Sequence, residues 1–191
     1  MKIIFLDFDG VLNCEDWYRR QFEETKNDLE LSEYPYSEFD PEIIQRLNHI
    51  INETGAKVVV SSTWRHGRSV EELQNILSRV GFTGEVIDKT KHLDAINGYS
   101  LPRGCEIEHW LEQKGQFQRI NWSVKEQLKF IEKATVKNYI ILDDDSDMLY
   151  NQREHFISTS GYYGLTKEKV EKAITILNTP LEKLYYPTLT V

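Results

Sequence analysis

The stretch Met1–Asn13, MKIIFLDFDGVLN, decides the fold. Ile3, Ile4, Phe5 and Leu6 form an unbroken apolar run that ends at Asp7. A run this short, rich in β-branched and aromatic residues, predicts a strand buried on both faces. Asp7-Phe8-Asp9-Gly10 follows directly. In an extended chain residues i and i+2 point the same way, so both carboxylates face one spot beyond the strand's C-terminal end. Gly10 permits a sharp turn there. Two close carboxylates repel unless a cation or proton lies between them, and a hard divalent ion suits oxygen ligands of this kind.

Outward from this stretch, strands alternate with amphipathic helices. Asp40-Pro41 reads as N-cap and first residue of a helix with Ile43, Ile44, Leu47, Ile50 and Ile51 along one stripe, closed by Gly55. Lys57–Val60 is a second buried strand, running into Ser61-Ser62-Thr63-Trp64-Arg65. Ser69 with Glu72 is a capping box opening a helix through Val80. A short strand at 84–88 precedes an irregular stretch, 89–103, and a helix over 104–114. Ser123 with Glu126 predicts another capped helix. Tyr139–Leu142 is a further buried strand, ending in Asp143-Asp144-Asp145-Ser146-Asp147. A strand at 156–158 and a helix at 167–178 follow, then a loose tail from 179 to 191. This alternation predicts a doubly wound, mainly parallel α/β sheet with helices on both faces, as one domain over 1–178. In such sheets the site lies beyond the C-terminal strand ends. Asp7 and Asp9, Ser61, and Asp143 and Asp144 end separate strands and converge on one edge.

The segment 14–40 departs from the pattern. It holds nine carboxylates and three cations, so it carries −6 of the total formal charge of −8. It also holds Trp17, Tyr18, Phe22, Tyr34, Tyr36 and Phe39. It is expected to form a short helix near 15–27 and a flap beside the site, with Trp17 and Tyr18 as substrate contacts. The net charge argues against broad binding to nucleic acid or anionic membranes, though not against a local basic pocket. Cys14 and Cys105 sit in no metal or redox spacing and are expected to be reduced thiols. With Asp7 beside it, Cys14 is not the better-placed nucleophile. No signal peptide or 18-residue apolar run is visible, so the expectation is a soluble, cytoplasmic chain.

Asp7-Phe8-Asp9-Gly10, Ser61 after its hydrophobic run, and the acidic cluster after Leu142 together resemble the haloacid dehalogenase (HAD) superfamily. The wording DFDGVLN, SSTWR, PRGCEI and ILDDDSDM is similar to small phosphatase domains of bacterial and phage RNA-repair proteins. The resemblance implies that Asp7 attacks phosphorus, that Asp9 is the acid and base, and that Mg²⁺ is held by Asp7, the Asp9 carbonyl and Asp144, with Asp143 beside it. It implies a phosphatase, because relatives that cleave carbon–halogen bonds lack the second aspartate. It also implies a cation before the last acidic cluster. Lys89, Lys91 and Arg103 are the candidates, with Arg103 preferred because it precedes a helix whose N-terminus can face the site. Ser62 and Arg65 are candidate substrate contacts, Arg65 steering the phosphate. The expected partner is a phosphorylated macromolecule. Phosphotyrosine protein ranks slightly ahead of a phosphate-ended nucleic acid, because of the aromatic, acidic flap. The alternative of another class is a silent scaffold on the same fold.

Overall fold

The structure is a computed structural model that describes residues 1–25, 38–93, 100–114, 134–181 and 184. The strands are β1 (Lys2–Leu6), β2 (Lys57–Val60), β3 (Val86–Lys89), β4 (Asn138–Asp143) and β5 (Phe156–Ser158). They form a five-stranded sheet in the order β3-β2-β1-β4-β5. Every pairing is parallel. The helices are α1 (Glu15–Thr25), α2 (Pro41–Thr54), α3 (Val70–Arg79), α4 (Arg103–Gln113) and α5 (Lys167–Asn178). The expected α/β architecture is therefore present.

The side-chain alternation of the strands divides the core in two. Ile4, Leu6, Val58, Val60, Ile140 and Leu142 face a cluster built with Ile43, Ile44, Leu47 and Ile50 of α2, Leu73 and Leu77 of α3, and Val170, Ala173 and Leu177 of α5. Ile3, Phe5, Val59, Tyr139 and Ile141 face the other side, where Ile107, Trp110 and Leu111 of α4 cover them. Both faces being covered explains why the strands read as apolar runs. Fully burying each such side chain contributes roughly 1.5–3 kcal/mol.

The helix ends follow their sequence signals. The Asp40 side chain accepts from the Glu42 N–H, Pro41 opens α2, and Gly55 closes it at φ 64°. The Ser69–Glu72 capping box is formed in both directions. The third strand starts two residues later than its predicted beginning, because Gly84 and Glu85 belong to the turn that precedes it. In α5 Val170, Ala173, Ile176 and Leu177 form the buried face. The predicted helix capped by Ser123 lies outside the described residues, as does 26–37 of the expected flap. Leu181 is buried and Leu184 packs on the larger cluster, so the beginning of the expected loose tail is docked.

Register carries the fold to the site. Leu6 pairs with Val60 on one side and with Leu142 on the other. The ladder extends past the strands: Asp7 N–H donates to Leu142 O at 3.0 Å, and Ser61 N–H to Leu6 O at 2.8 Å. Asp7, Ser61 and Asp143 thus leave the sheet at one level. After β3 the chain crosses to the far side of β1 to make β4, so β1 sits at the topological switch point where such sheets bind ligands.

Asn138 ties α5 to the start of β4. Its Nδ2 donates to Ile176 O at 2.6 Å and Thr179 O at 2.7 Å, while its Oδ1 accepts from the Tyr139 N–H. It is buried, and it shares the Ile176 carbonyl with the Thr179 N–H, 3.1 Å away. Asn138→Ala should lower stability by roughly 1–3 kcal/mol, the cost of stranding buried polar groups. The urea midpoint measures this, and an unchanged midpoint would show that these bonds contribute nothing net.

Candidate active site

Gly10 turns the chain after β1 with φ 69°. A Cβ here would lie 2.2 Å from Asp144 Oδ2, so the glycine is required by space as well as by backbone conformation. Its N–H donates to Asn13 Oδ1 at 3.0 Å, and its carbonyl accepts from the Thr159 hydroxyl at 2.9 Å. The turn is thereby fixed from both directions.

Asp7, Asp143 and Asp144 each bring one oxygen within 4.8 Å of the others. Asp7 and Asp143 are buried; Asp144 is exposed. Burial pushes the Asp143 carboxyl up to about 7, with the neighbouring Asp7 charge the next contribution. The Asp145 N–H and the Arg103 charge oppose that rise. Burial also raises Asp7, against donation from the Ser62 hydroxyl, the charge of Arg103 and the Phe8 N–H. Asp144 is raised as well, first by burial. Carboxylates destabilised in this way are relieved by a cation among them. An all-oxygen, carboxylate donor set fits a hard divalent ion such as Mg²⁺. Asp143 stands in this cluster alongside Asp144 rather than only beside it.

Asp9 is held apart from the cluster. Its Oδ1 accepts from Asn13 Nδ2 at 2.9 Å and its Oδ2 from Trp64 Nε1 at 3.0 Å. Asn13 and Trp64 were not singled out in the sequence, though both stand in its quoted motifs. Asn13 lies one turn past Asp9, and only its side-chain bonds reveal what it does.

The two serines after β2 have different surroundings. Ser61 is buried, with its hydroxyl 3.3 Å from that of Thr90. Ser62 is the residue whose hydroxyl reaches Asp7. Arg103 is half-buried; its guanidinium donates to Ser61 O, and its charge acts on Asp7, Asp143 and Asp144. The start of the helix is capped by Asp147, which accepts from the Arg103 N–H at 2.6 Å. Lys89 is turned to the backbone carbonyls of Arg65 and Arg68, and Lys91 is exposed. Among the expected cations, Arg103 is therefore the one this geometry brings to the carboxylates.

Arg65 is placed differently from the expectation that it steers substrate. It is buried, and its guanidinium is spent on the protein. Nε donates to Thr90 O at 3.0 Å, Nη1 to Ser62 O at 2.5 Å, and Nη2 pairs with Glu106 Oε2 at 2.5 Å. Glu106 also accepts from the Leu93 N–H and lies 3.2 Å from His92 Nδ1. A line of contacts thus runs from Glu106 through Arg65 and Ser62 to the Asp7 carboxylate. Trp17 also differs from expectation: it packs on the larger core, with the Arg20 guanidinium 5.1 Å from its ring centroid. Tyr18 is exposed near Asp9 and Asn13, its hydroxyl donating to Glu38 O at 3.3 Å. Burial raises the thiol of Cys14, which disfavours its nucleophilic form.

A parallel sheet with a carboxylate nucleophile candidate at its central strand end, opposite an acidic pair, defines a domain of the HAD class. Residues 3–170 match the family described as the HAD domain in Swiss Army Knife RNA repair proteins, and the chain belongs to that family. Such a domain points to a hydrolase of the phosphatase type. No curated protein and no solved structure matches the chain. Among the described residues, no helix is long and apolar enough to cross a membrane.

The raised Asp143 carboxyl sets a testable pH dependence. Its folded value, about 7, lies above its ordinary value of 3.8. Between those values the folded state binds more protons than the unfolded state, so stability falls as pH rises through that window. Protein stripped of divalent ions should therefore show a falling urea midpoint from about pH 4 to 7, and Asp143→Asn should flatten the fall. Mg²⁺ binding near pH 7 should release a fraction of a proton, read by calorimetry in buffers of different ionisation heat. A midpoint that rises over this window would show that Asp143 is not the titrating group.

Proposed function

We propose that this chain is a Mg²⁺-dependent phosphomonoesterase that removes the terminal phosphate of a nucleic acid through an aspartyl-phosphate at Asp7. The observation that carries this reading is the division of the aspartates. Asp7 lies in a cluster fit for a cation, while Asp9 lies two residues on, outside that cluster, its carboxylate fixed by Asn13 and Trp64. A nucleophile and a separate proton donor are what two-step phosphoryl transfer needs.

In the first step an Asp7 oxygen forms a bond to phosphorus as the ester P–O bond breaks, and Asp9 gives its proton to the departing oxygen. In the second, Asp9 takes a proton from water as that water's oxygen attacks phosphorus. The acyl phosphate P–O bond breaks, Asp7 is restored and inorganic phosphate leaves. Ser62 holds Asp7 in place, and Arg103 supplies fixed positive charge beside it. Asp7, Asp143 and Asp144 would hold Mg²⁺, whose charge offsets the repulsion between the Asp7 carboxylate and a phosphate dianion.

Membership of an RNA-repair family favours a phosphate-ended strand and reverses the ranking drawn from the sequence. Part of that ranking rested on Trp17 as an aromatic platform, and Trp17 packs inward against the core. Tyr18 keeps the phosphoprotein reading in second place, because its exposed ring lies near Asp9. The segment 14–40 acts in this reading as a flap that selects substrate. Cys14 and Cys105, both free thiols, suit a reducing cytoplasm.

Asp7→Asn keeps nearly the same shape but replaces the nucleophile with an amide, so turnover should fall at least a thousandfold with the circular dichroism unchanged. Substantial activity in that variant would remove Asp7 from the role. Wild-type protein with Mg²⁺ should prefer phosphate-ended oligonucleotides over phosphotyrosine peptides and small sugar phosphates in kcat/KM. A preference for the peptides would return the phosphoprotein reading to first place.

A further inference from the structure

If Asp9 protonates the departing oxygen, the leaving group must lie against it. Trp64 touches Asp9 from one side, its indole N–H donating to Oδ2 at 3.0 Å. The indole therefore stands about one sugar away from the oxygen that leaves. Trp64 is held firmly: its ring packs on Phe8 and Phe39, with centroids 5.5 and 5.2 Å away. Its remaining surface lines a cleft of about 490 Å³ together with Glu38, Thr63, Arg68 and Ile76. That volume falls in the range of small-ligand sites. Arg68 is exposed, with its guanidinium 5.5 Å from the Trp64 ring centroid and Nη1 donating to Trp64 O at 2.8 Å. None of the proposed chemistry uses this arginine.

We propose that this cleft is a leaving-group subsite for the terminal nucleoside of a phosphate-ended strand. The terminal base takes the indole face that Arg68 covers, and Arg68 turns outward to meet the next phosphodiester. The proposal rests on the nucleic-acid reading above and adds the direction in which the strand leaves the site. Two features select this occupant. An aromatic face takes any base without reading its edges. An exposed guanidinium resting on that face, once displaced by the base, matches an anion placed one residue along a polymer. A phosphotyrosine ring is bonded directly to the leaving oxygen, so it would meet Asp9 and the indole edge and leave Arg68 unmatched.

The test is steady-state kinetics with Mg²⁺ at two salt concentrations. The substrates are 3′- and 5′-phosphate-ended oligonucleotides, the same strands with an abasic terminal residue, p-nitrophenyl phosphate and a phosphotyrosine peptide. Removing the terminal base should lower kcat/KM by about fivefold to a hundredfold, the usual worth of one stacked base. Trp64→Leu should erase the difference between normal and abasic strands. Trp64→Phe keeps a ring but loses the bond to Asp9, so it should lower kcat on all substrates while retaining part of the base preference. Arg68→Gln should raise KM for the strands more than for p-nitrophenyl phosphate and lessen the salt slope by about one. Equal rates on normal and abasic strands, or a base preference that survives Trp64→Leu, would overturn the subsite while leaving the phosphatase reading intact. The wild-type abasic comparison decides the matter even if Trp64→Leu fails to fold. Absence of turnover on every phosphate ester would instead overturn the phosphatase reading and the subsite with it.

Discussion

The structure turns on the burial of two neighbouring carboxylates, Asp7 and Asp143. Both are buried at adjacent strand ends, and their register leaves them no way to separate. Leu6 pairs with Leu142, and the Asp7 N–H continues the ladder onto Leu142 O. Two ionised carboxylates at such a place are unfavourable without a compensating charge. The fold answers with Arg103 and with carboxylate oxygens grouped at a distance that a small cation can bridge. Local stability is given up there, and the oxygens are grouped as a divalent cation would need them.

Holding that arrangement needs a stiff surround. The Gly10 turn is pinned by Asn13 and Thr159, and its missing side chain is the space Asp144 occupies. Behind Asp7, the Ser62 carbonyl is fixed by Arg65, and Arg65 by Glu106. A buried pair of this kind adds little net stability compared with apolar packing, but leaving either partner alone is strongly destabilising. Its effect is to bind the start of α4, the end of β2 and the loop at Thr90 into one block. A nucleophile attached to such a block keeps its orientation, whereas one on a loose turn would not.

The fold was legible in the sequence because its signals are local. The run Ile3–Leu6 fixes a strand buried on both faces, Asp40 with Pro41 fixes a helix start, and Ser69 with Glu72 fixes another. The carboxylates were legible for the same reason: each follows directly on an apolar run. What could not be read were contacts between distant positions. Nothing around Glu106 marks it as the partner of Arg65, 41 positions earlier. Trp17 sits in an acidic segment that reads as an exposed flap, yet its ring turns to the core. Trp64 reads as an ordinary loop aromatic until its N–H is seen on Asp9, 55 positions away.

The arginines show why residue type and motif position do not fix a role. Arg65, Arg68 and Arg103 all lie near the C-terminal edge of the sheet, and the sequence offers two of them as phosphate contacts. Their surroundings sort them. Glu106 consumes the charge of Arg65 inside the protein. Asp147 takes the backbone N–H of Arg103, while the guanidinium of Arg103 donates to Ser61 O and its charge acts on Asp7 and Asp143. Arg68 lies on the ring face of Trp64, donates to its carbonyl and acts on the Glu72 carboxylate, and it stays exposed. The same cation is structural where a buried carboxylate neutralises it, electrostatic where it faces a cluster of carboxylates, and exposed at the surface where it rests on an aromatic face. The depth at which each sits, set by helix and strand packing, therefore assigns the roles that the letters alone left open.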